Sequence, residues 1–200
     1  MCQLGASLHQ VTAMRIRLGT ADDVAAALDI IRLVVPLMLA EGNGQWNLDY
    51  PNADVLNKDV AQGQLWVAEE EGSTSGAPLI TGLAAISTAR EPEYERLSSW
   101  TGGSTAPAVV VHRLATHPEW RGRGVAAALM QQAEQFAAGL GIRNLRVDTN
   151  SANCATQRLF PKLGFSYVGD ITLDLRPGLR FMCYEKILAI HEKILAIHAP

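Results

Sequence analysis

The chain has 200 residues, 48% of them hydrophobic, which is the length and apolar content of one domain able to bury a core. A formal charge of -3 and a pI near 5.9 exclude the overall basic field that would hold nucleic acid or an anionic membrane surface. Cys2, Cys154 and Cys183 are too few and odd in number for a secreted disulfide scaffold, and no apolar run approaches the roughly 20 residues of a membrane span. The start lacks the basic and apolar regions of a signal peptide, so a soluble, cytoplasmic protein is expected.

Residues 1–13 show no period and are read as a disordered extension, with Met14 heading the first strand, Met14-Arg15-Ile16-Arg17-Leu18. Thr20-Ala21-Asp22-Asp23 then forms a cap with acidic residues in the first turn, followed by Val24, Leu28, Ile31 and Val35 at helical spacing. Pro36 should bend or interrupt that helix, and Glu41-Gly42-Asn43-Gly44 opens a loop leading to Trp46 and Tyr50. Asn52 to Gln62 reads as a short helix. Leu65 to Ala68 and Leu79 to Thr88 form a hairpin around the turn-forming residues 72–76, with Glu69-Glu70-Glu71 at its solvated end.

The stretch from Glu91 to Pro107, carrying Tyr94 and Trp100, is long for an idle connection and reads as a substrate loop or a mobile insertion. Ala108 to Thr116 is a strand, Val125 to Leu140 a helix, Asn144 to Asp148 a strand and Cys154 to Leu163 a helix stopped by Gly164. Phe165 to Leu173 and Leu179 to Leu188 close the domain as strands. The mixed order predicts an α/β domain over 14–188. A tail over 189–200 follows, in which the unit Glu185 to His191 is copied as Glu192 to His198, too few copies for a solenoid.

A strand, a turn with Gly122 and Gly124, and the start of a long helix together make a phosphate cradle: free backbone amides point outward and the helix dipole favours negative charge. The same residues match the dinucleotide pattern G-x-G-x-x-A, with Asp148 at the end of a strand further on. Against that reading, His117 to Arg121 separate the strand from the first glycine, and no early βαβ unit opens the chain.

Two ordered segments carry a more specific likeness. His112 to Ala126, with Arg121, Gly124 and Ala126 at the positions of a (Gln/Arg)-x-x-Gly-x-(Gly/Ala) loop, and Asp148 to Asn153 followed by Leu159-Phe160-Pro161-Lys162-Leu163-Gly164-Phe165, resemble the GNAT superfamily of N-acetyltransferases. The resemblance is firm over 112–169 and looser over 14–188. It implies a twisted, mostly antiparallel sheet with helices on both faces and a split between the strands at Ala108 to Thr116 and Asn144 to Asn150. It implies acetyl-CoA as acetyl donor, with no metal. The backbone of Arg121, Gly122, Arg123, Gly124, Val125 and Ala126 would take the pyrophosphate, and Leu114, Ala115 and Thr116 would pair with the pantetheine arm. Asn153 would contact that arm, cap the following helix, or do both, and Phe160 is a further cofactor-binding candidate. The family's frequent dimers make a homodimer an expectation.

Acetyl transfer to an amine needs a base, a polarised carbonyl and a leaving thiolate. His112 is the candidate base, on a strand face that alternation shares with Val110, Leu114 and Thr116; His112-Arg113-Leu114-Ala115 also resembles arylalkylamine acetyltransferases. Glu91, Glu93 or a water chain are the alternatives. Phe160 stands where many members carry a Tyr acid, so the thiolate leaves unaided or Tyr167 or Tyr184 substitutes. Trp46, Tyr50, Tyr94 and Trp100 are candidates for lining the pocket of a small-molecule amine or peptide acceptor. The same features leave a rival reading, a non-catalytic coenzyme A-binding or sensing module.

Overall fold

Alternation and turn chemistry in the sequence become strands and helices within a residue or two of expectation. The structure, a computed structural model, describes residues 14–70, 79–174 and 176–189. The elements in chain order are β1 (Met14–Leu18), α1 (Val24–Ala40), α2 (Ala53–Ala61), β2 (Leu65–Glu70), β3 (Leu79–Ser87), β4 (Ala108–Thr116), α3 (Val125–Gly139), β5 (Asn144–Asn150), α4 (Cys154–Lys162), β6 (Ser166–Thr172) and β7 (Arg180–Ile187). The extension over 1–13, the turn over 72–76 and the repeated tail beyond Ala189 lie outside the described residues.

The seven strands form one sheet in the order β1-β2-β3-β4-β5-β7-β6. Every neighbouring pair is antiparallel except β4 and β5, which run parallel. A parallel neighbour requires a crossover, and α3 supplies it. On one face α3 packs Val125, Leu129, Met130, Ala133 and Ala137 against Val109, Val111, Leu145 and Val147, with Phe160 of α4 in the same cluster. On the other face α1 packs Ala27, Ile30, Ile31, Val34 and Val35, and α2 packs Leu56, against Leu65, Val67, Leu83 and Ala115. Among the described residues no helix is long and apolar enough to cross a membrane.

One local expectation is narrowed and another corrected. The first helix runs without a break through Pro36. Proline removes the amide that would bond the Arg32 carbonyl, but both residues are exposed, where water can serve that carbonyl, while Val34 and Val35 are buried on the packed side. Glu69 does not belong to a solvated acidic end: it is 6% exposed and bonds Arg17 at 2.6 Å. Arg17 in turn makes a bidentate pair with Asp23 at 2.7 and 2.8 Å, so a charge cluster ties β1 and β2 to the start of the first helix.

The long connection over 91–107 is packed down. A 3-10 turn over Pro92–Arg96 places Tyr94 and Trp100, each 3% exposed, against Val110, Ile171 and Phe181. Beneath it a buried Arg146–Glu185 pair (2.9 Å) pins the loop: Arg146 donates to the Gly103 and Ser104 carbonyls, and Glu185 accepts from the Thr101 amide.

Candidate active site

The site begins with where β4 and β5 stop pairing. Their register runs from Ala108↔Asn144 to Val111↔Val147, while β4 continues to Thr116 and β5 to Asn150. The strands part beyond Val111 and Val147, and His112 and Asp148 are the first residues past the junction. Backbone amides and carbonyls of β4 after this point have no partner from β5.

A bulge in β4 lies just beyond the parting. Leu83 of β3 pairs with Ala115, but Ala85 pairs with His112, so Arg113 and Leu114 oppose the single residue Ala84. Arg113 takes φ 53, the left-handed region that a non-glycine residue enters at a cost on the order of 1–3 kcal/mol. Asp59 of α2 accepts its Nε and Nη2 at 2.7 and 2.8 Å, and Nη1 lies 3.3 Å from the Tyr50 hydroxyl. The Asp59 side chain is only 4% exposed. Burial pushes its pKa upward, against the pull of Arg113.

This bulge corrects the face assigned to His112. Val110 packs with Tyr94 and Trp100, and His112 follows it on that side. Leu114, however, joins the α3 cluster with Val109 and Val111, and Ala115 joins the α1 cluster. A one-residue insertion reverses the alternation beyond it.

Around the opening lie two hydrogen-bonded pairs. His112 Nε2 is 3.0 Å from Glu91 Oε1. A carboxylate can only accept, so with Glu91 ionised Nε2 carries the proton and, in the neutral ring, Nδ1 keeps the lone pair. Across the split the Tyr94 hydroxyl donates to Asp148 Oδ2 at 2.8 Å. Burial raises the Asp148 pKa, and burial together with the neighbouring Asp148 raises that of Tyr94. Both groups are therefore held in their protonated forms to higher pH than usual.

A cavity of about 980 Å³ runs along the split. It is lined by Arg121, Gly122, Gly124, Val125 and Ala126 of the turn and the start of α3, by Leu114, Ala115, Thr116, Asn153 and Phe160, and by Trp46, Tyr50, Glu91, Tyr94 and His112. Gly122 and Gly124 have φ +77 and +85, and nothing stands within 4 Å of where a Cβ would be. The backbone is bare toward open space at the first turn of α3, whose amides lack intrahelical acceptors. Gly82 lets that helix start close to the sheet, since a Cβ there would lie 2.5 Å from Val125 Cγ1. These features fit an anionic group at the turn and an extended arm along β4.

Several expected site residues sit differently. Arg123 does not line the cavity; its guanidinium lies 4.7 Å over the Trp120 ring. Trp100 does not reach it either, being held against Tyr94, with Arg146 4.6 Å over its ring. Tyr167 is 52% exposed on the edge strand β6 and Tyr184 is packed with Phe160, so neither faces the cavity as a proton donor. Asn153 caps α4 by accepting from the Thr156 amide at 3.2 Å and also lines the cavity. Sequence reasoning missed Asp59, and it singled out Asp148 without its pairing to Tyr94. The available signal for Asp59 was its i+3 spacing from Leu56, which puts a carboxylate on the apolar face of α2.

A mixed sheet with one parallel split, a glycine turn on the crossover helix and a continuous cavity define an acetyltransferase of the GNAT class. The chain belongs to the Acetyltransferase (GNAT) family, which residues 36–165 match. A GNAT-family acetyltransferase from Streptococcus agalactiae superposes with a TM-score of 0.74 at 27% identity, over 88% of this chain and 96% of that one. A Salmonella typhimurium structure with its cofactor acetyl-CoA superposes with a TM-score of 0.62 at 22% identity, over 94% and 98% of the two chains. The chain is also 23% identical over 133 residues to N-acetylaspartate synthetase of Xenopus tropicalis, covering 66% of this chain and 45% of that protein. It thus spans less than half the length of that relative.

Proposed function

We propose that the protein transfers the acetyl group of acetyl-CoA directly to the primary amine of a small molecule or peptide. The observation that carries this reading is the continuity of one cavity from the Gly122–Gly124 turn, along the unpaired edge of β4, to the Glu91–His112 pair. The donor supplies an activated acyl thioester. The residues of the chain account for the rest: the α3 amides hold the phosphates, the β4 backbone after the bulge aligns the arm, and an amide among Leu114 to Thr116 polarises the carbonyl.

His112 is the proposed base. With Nε2–H directed to Glu91, Nδ1 accepts the amine proton, and the carboxylate stabilises the imidazolium that results. Phe160 offers no proton, but a thiol titrates near about 8.5 and leaves as an anion far more readily than an amine or alkoxide, so an acid at this position is dispensable. A cytoplasmic setting and a homodimer are consistent with this reading but carry none of it.

Titration calorimetry should detect acetyl-CoA binding, and a thiol-release assay over a panel of amines, amino acids and peptides should find an acceptor. His112→Ala should then lower kcat by about a hundredfold or more while leaving donor affinity nearly unchanged. Binding of acetyl-CoA with no turnover on any acceptor would favour the sensing module. Full turnover by the variant would remove His112 as the base and leave the enzyme standing.

A further inference from the structure

The Arg113–Asp59 pair is built with more care than packing requires. Among the described residues Arg113 is the one non-glycine residue with positive φ, and it sits in the bulge of β4 opposite β3, just past the last β4–β5 pair. Its guanidinium meets Asp59 through two parallel bonds of 2.7 and 2.8 Å, and the hydroxyl of Tyr50 lies against a further nitrogen. Asp59 comes from α2, whose other buried residue is Leu56, and both Asp59 and Tyr50 line the cavity. Bidentate pairing fixes the plane of a guanidinium as well as its position. The Arg113 backbone is therefore held from outside its own strand.

We propose that Asp59 is a positioning residue: by clamping Arg113 it maintains the left-handed bulge, and so sets the direction of the Leu114 to Thr116 amides and of His112. The inference rests on the reading of the split as the acetyl-CoA site. It adds that the acceptor side of the cavity, through α2 and Tyr50, holds the donor strand in register. A paired carboxylate whose role was only to stabilise α2 would not need to meet a strained residue of the opposite wall.

The test uses Asp59→Asn, which keeps shape and removes charge, and the double variant Asp59→Asn/Arg113→Gly, in which glycine adopts positive φ unaided. In ligand-free protein, backbone Cα and amide shifts by NMR report the Arg113 conformation and the Leu114 to Thr116 amides. Calorimetry reports acetyl-CoA affinity. D59N should lose the positive-φ signature at Arg113, shift the three amides and weaken acetyl-CoA binding by about tenfold, while the double variant recovers binding to within about threefold of the parent.

A D59N protein with a lowered Tm but unmoved Arg113 shifts and unchanged affinity overturns the proposal, because that is the pattern of a purely structural pair. Should D59N not fold, the double variant decides: near-parental binding supports the clamp, and a tenfold loss or failure of this variant to fold overturns it. Absence of acetyl-CoA binding in the parent protein would instead overturn the proposed function.

Discussion

At residue resolution the charged side chains that matter most are the ones with the least access to water. Asp23 illustrates how a partner tunes such a group: the hydrogen bonds of Arg17 hold its carboxyl down to about 2, against the opposing effect of burial. A depressed folded-state pKa contributes stability that is present above the unfolded value near 3.8 and is lost as pH falls through about 2. Urea unfolding between about pH 5 and pH 2 should show this loss, and Asp23→Asn should flatten it; an unchanged slope in the variant would assign the acid sensitivity elsewhere. Asp148 has the opposite sign. Burial raises its pKa, so its contribution to folding improves as pH falls.

Individual elements carry the division of labour in the site. The helix α3 presents bare backbone at Gly124, whose φ of +85 only glycine adopts without strain and whose missing side chain leaves open space. Gly124→Ala should reduce stability by about 1 kcal/mol through backbone strain, and should weaken acetyl-CoA by about tenfold because the methyl group occupies the ligand's volume. Paired urea melts and calorimetric titrations separate the two effects, and equal small losses in both would move the phosphates away from this turn. Strand β4 shows the limit of reading elements from periodicity. Its apolar alternation through Val109, Val110 and Val111 identified the strand, but a two-residue period carries no mark for the inserted residue at Arg113.

Across the whole molecule, one buried ion pair ties the loop over 91–107 to the core beneath it. Arg146 and Glu185 have side chains 2% and 4% exposed, and together they hold four backbone groups of the loop. Arg146→Ala leaves a buried carboxylate unpaired and should destabilise the fold by about 3–5 kcal/mol in denaturant unfolding. The exposed Arg32–Asp29 pair, at 71% and 68% exposure, provides the contrast: Arg32→Ala should shift stability by less than about 0.5 kcal/mol. Similar losses in the two variants would mean that burial does not govern these pairs. Because the loop carries Tyr94 to Asp148, the Arg146 variant should also disturb the mouth of the split.

What the sequence by itself determined was local and chemical. The caps, periodicities and glycine turn bounded nearly every described element, and the order of the His112–Ala126 and Asp148–Phe165 segments was enough to point to the acetyltransferase family and its donor end. Those signals lie within short stretches, where side-chain spacing and backbone geometry act on near neighbours. The tertiary structure alone decided that His112 meets Glu91, that Tyr94 meets Asp148, that Trp100 and Tyr167 stay out of the cavity, and that Asp59 reaches Arg113. Each of these joins residues from different elements or settles which side of the sheet a residue takes. They depend on the bulge in β4 and on packing across the sheet, and no local spacing encodes either.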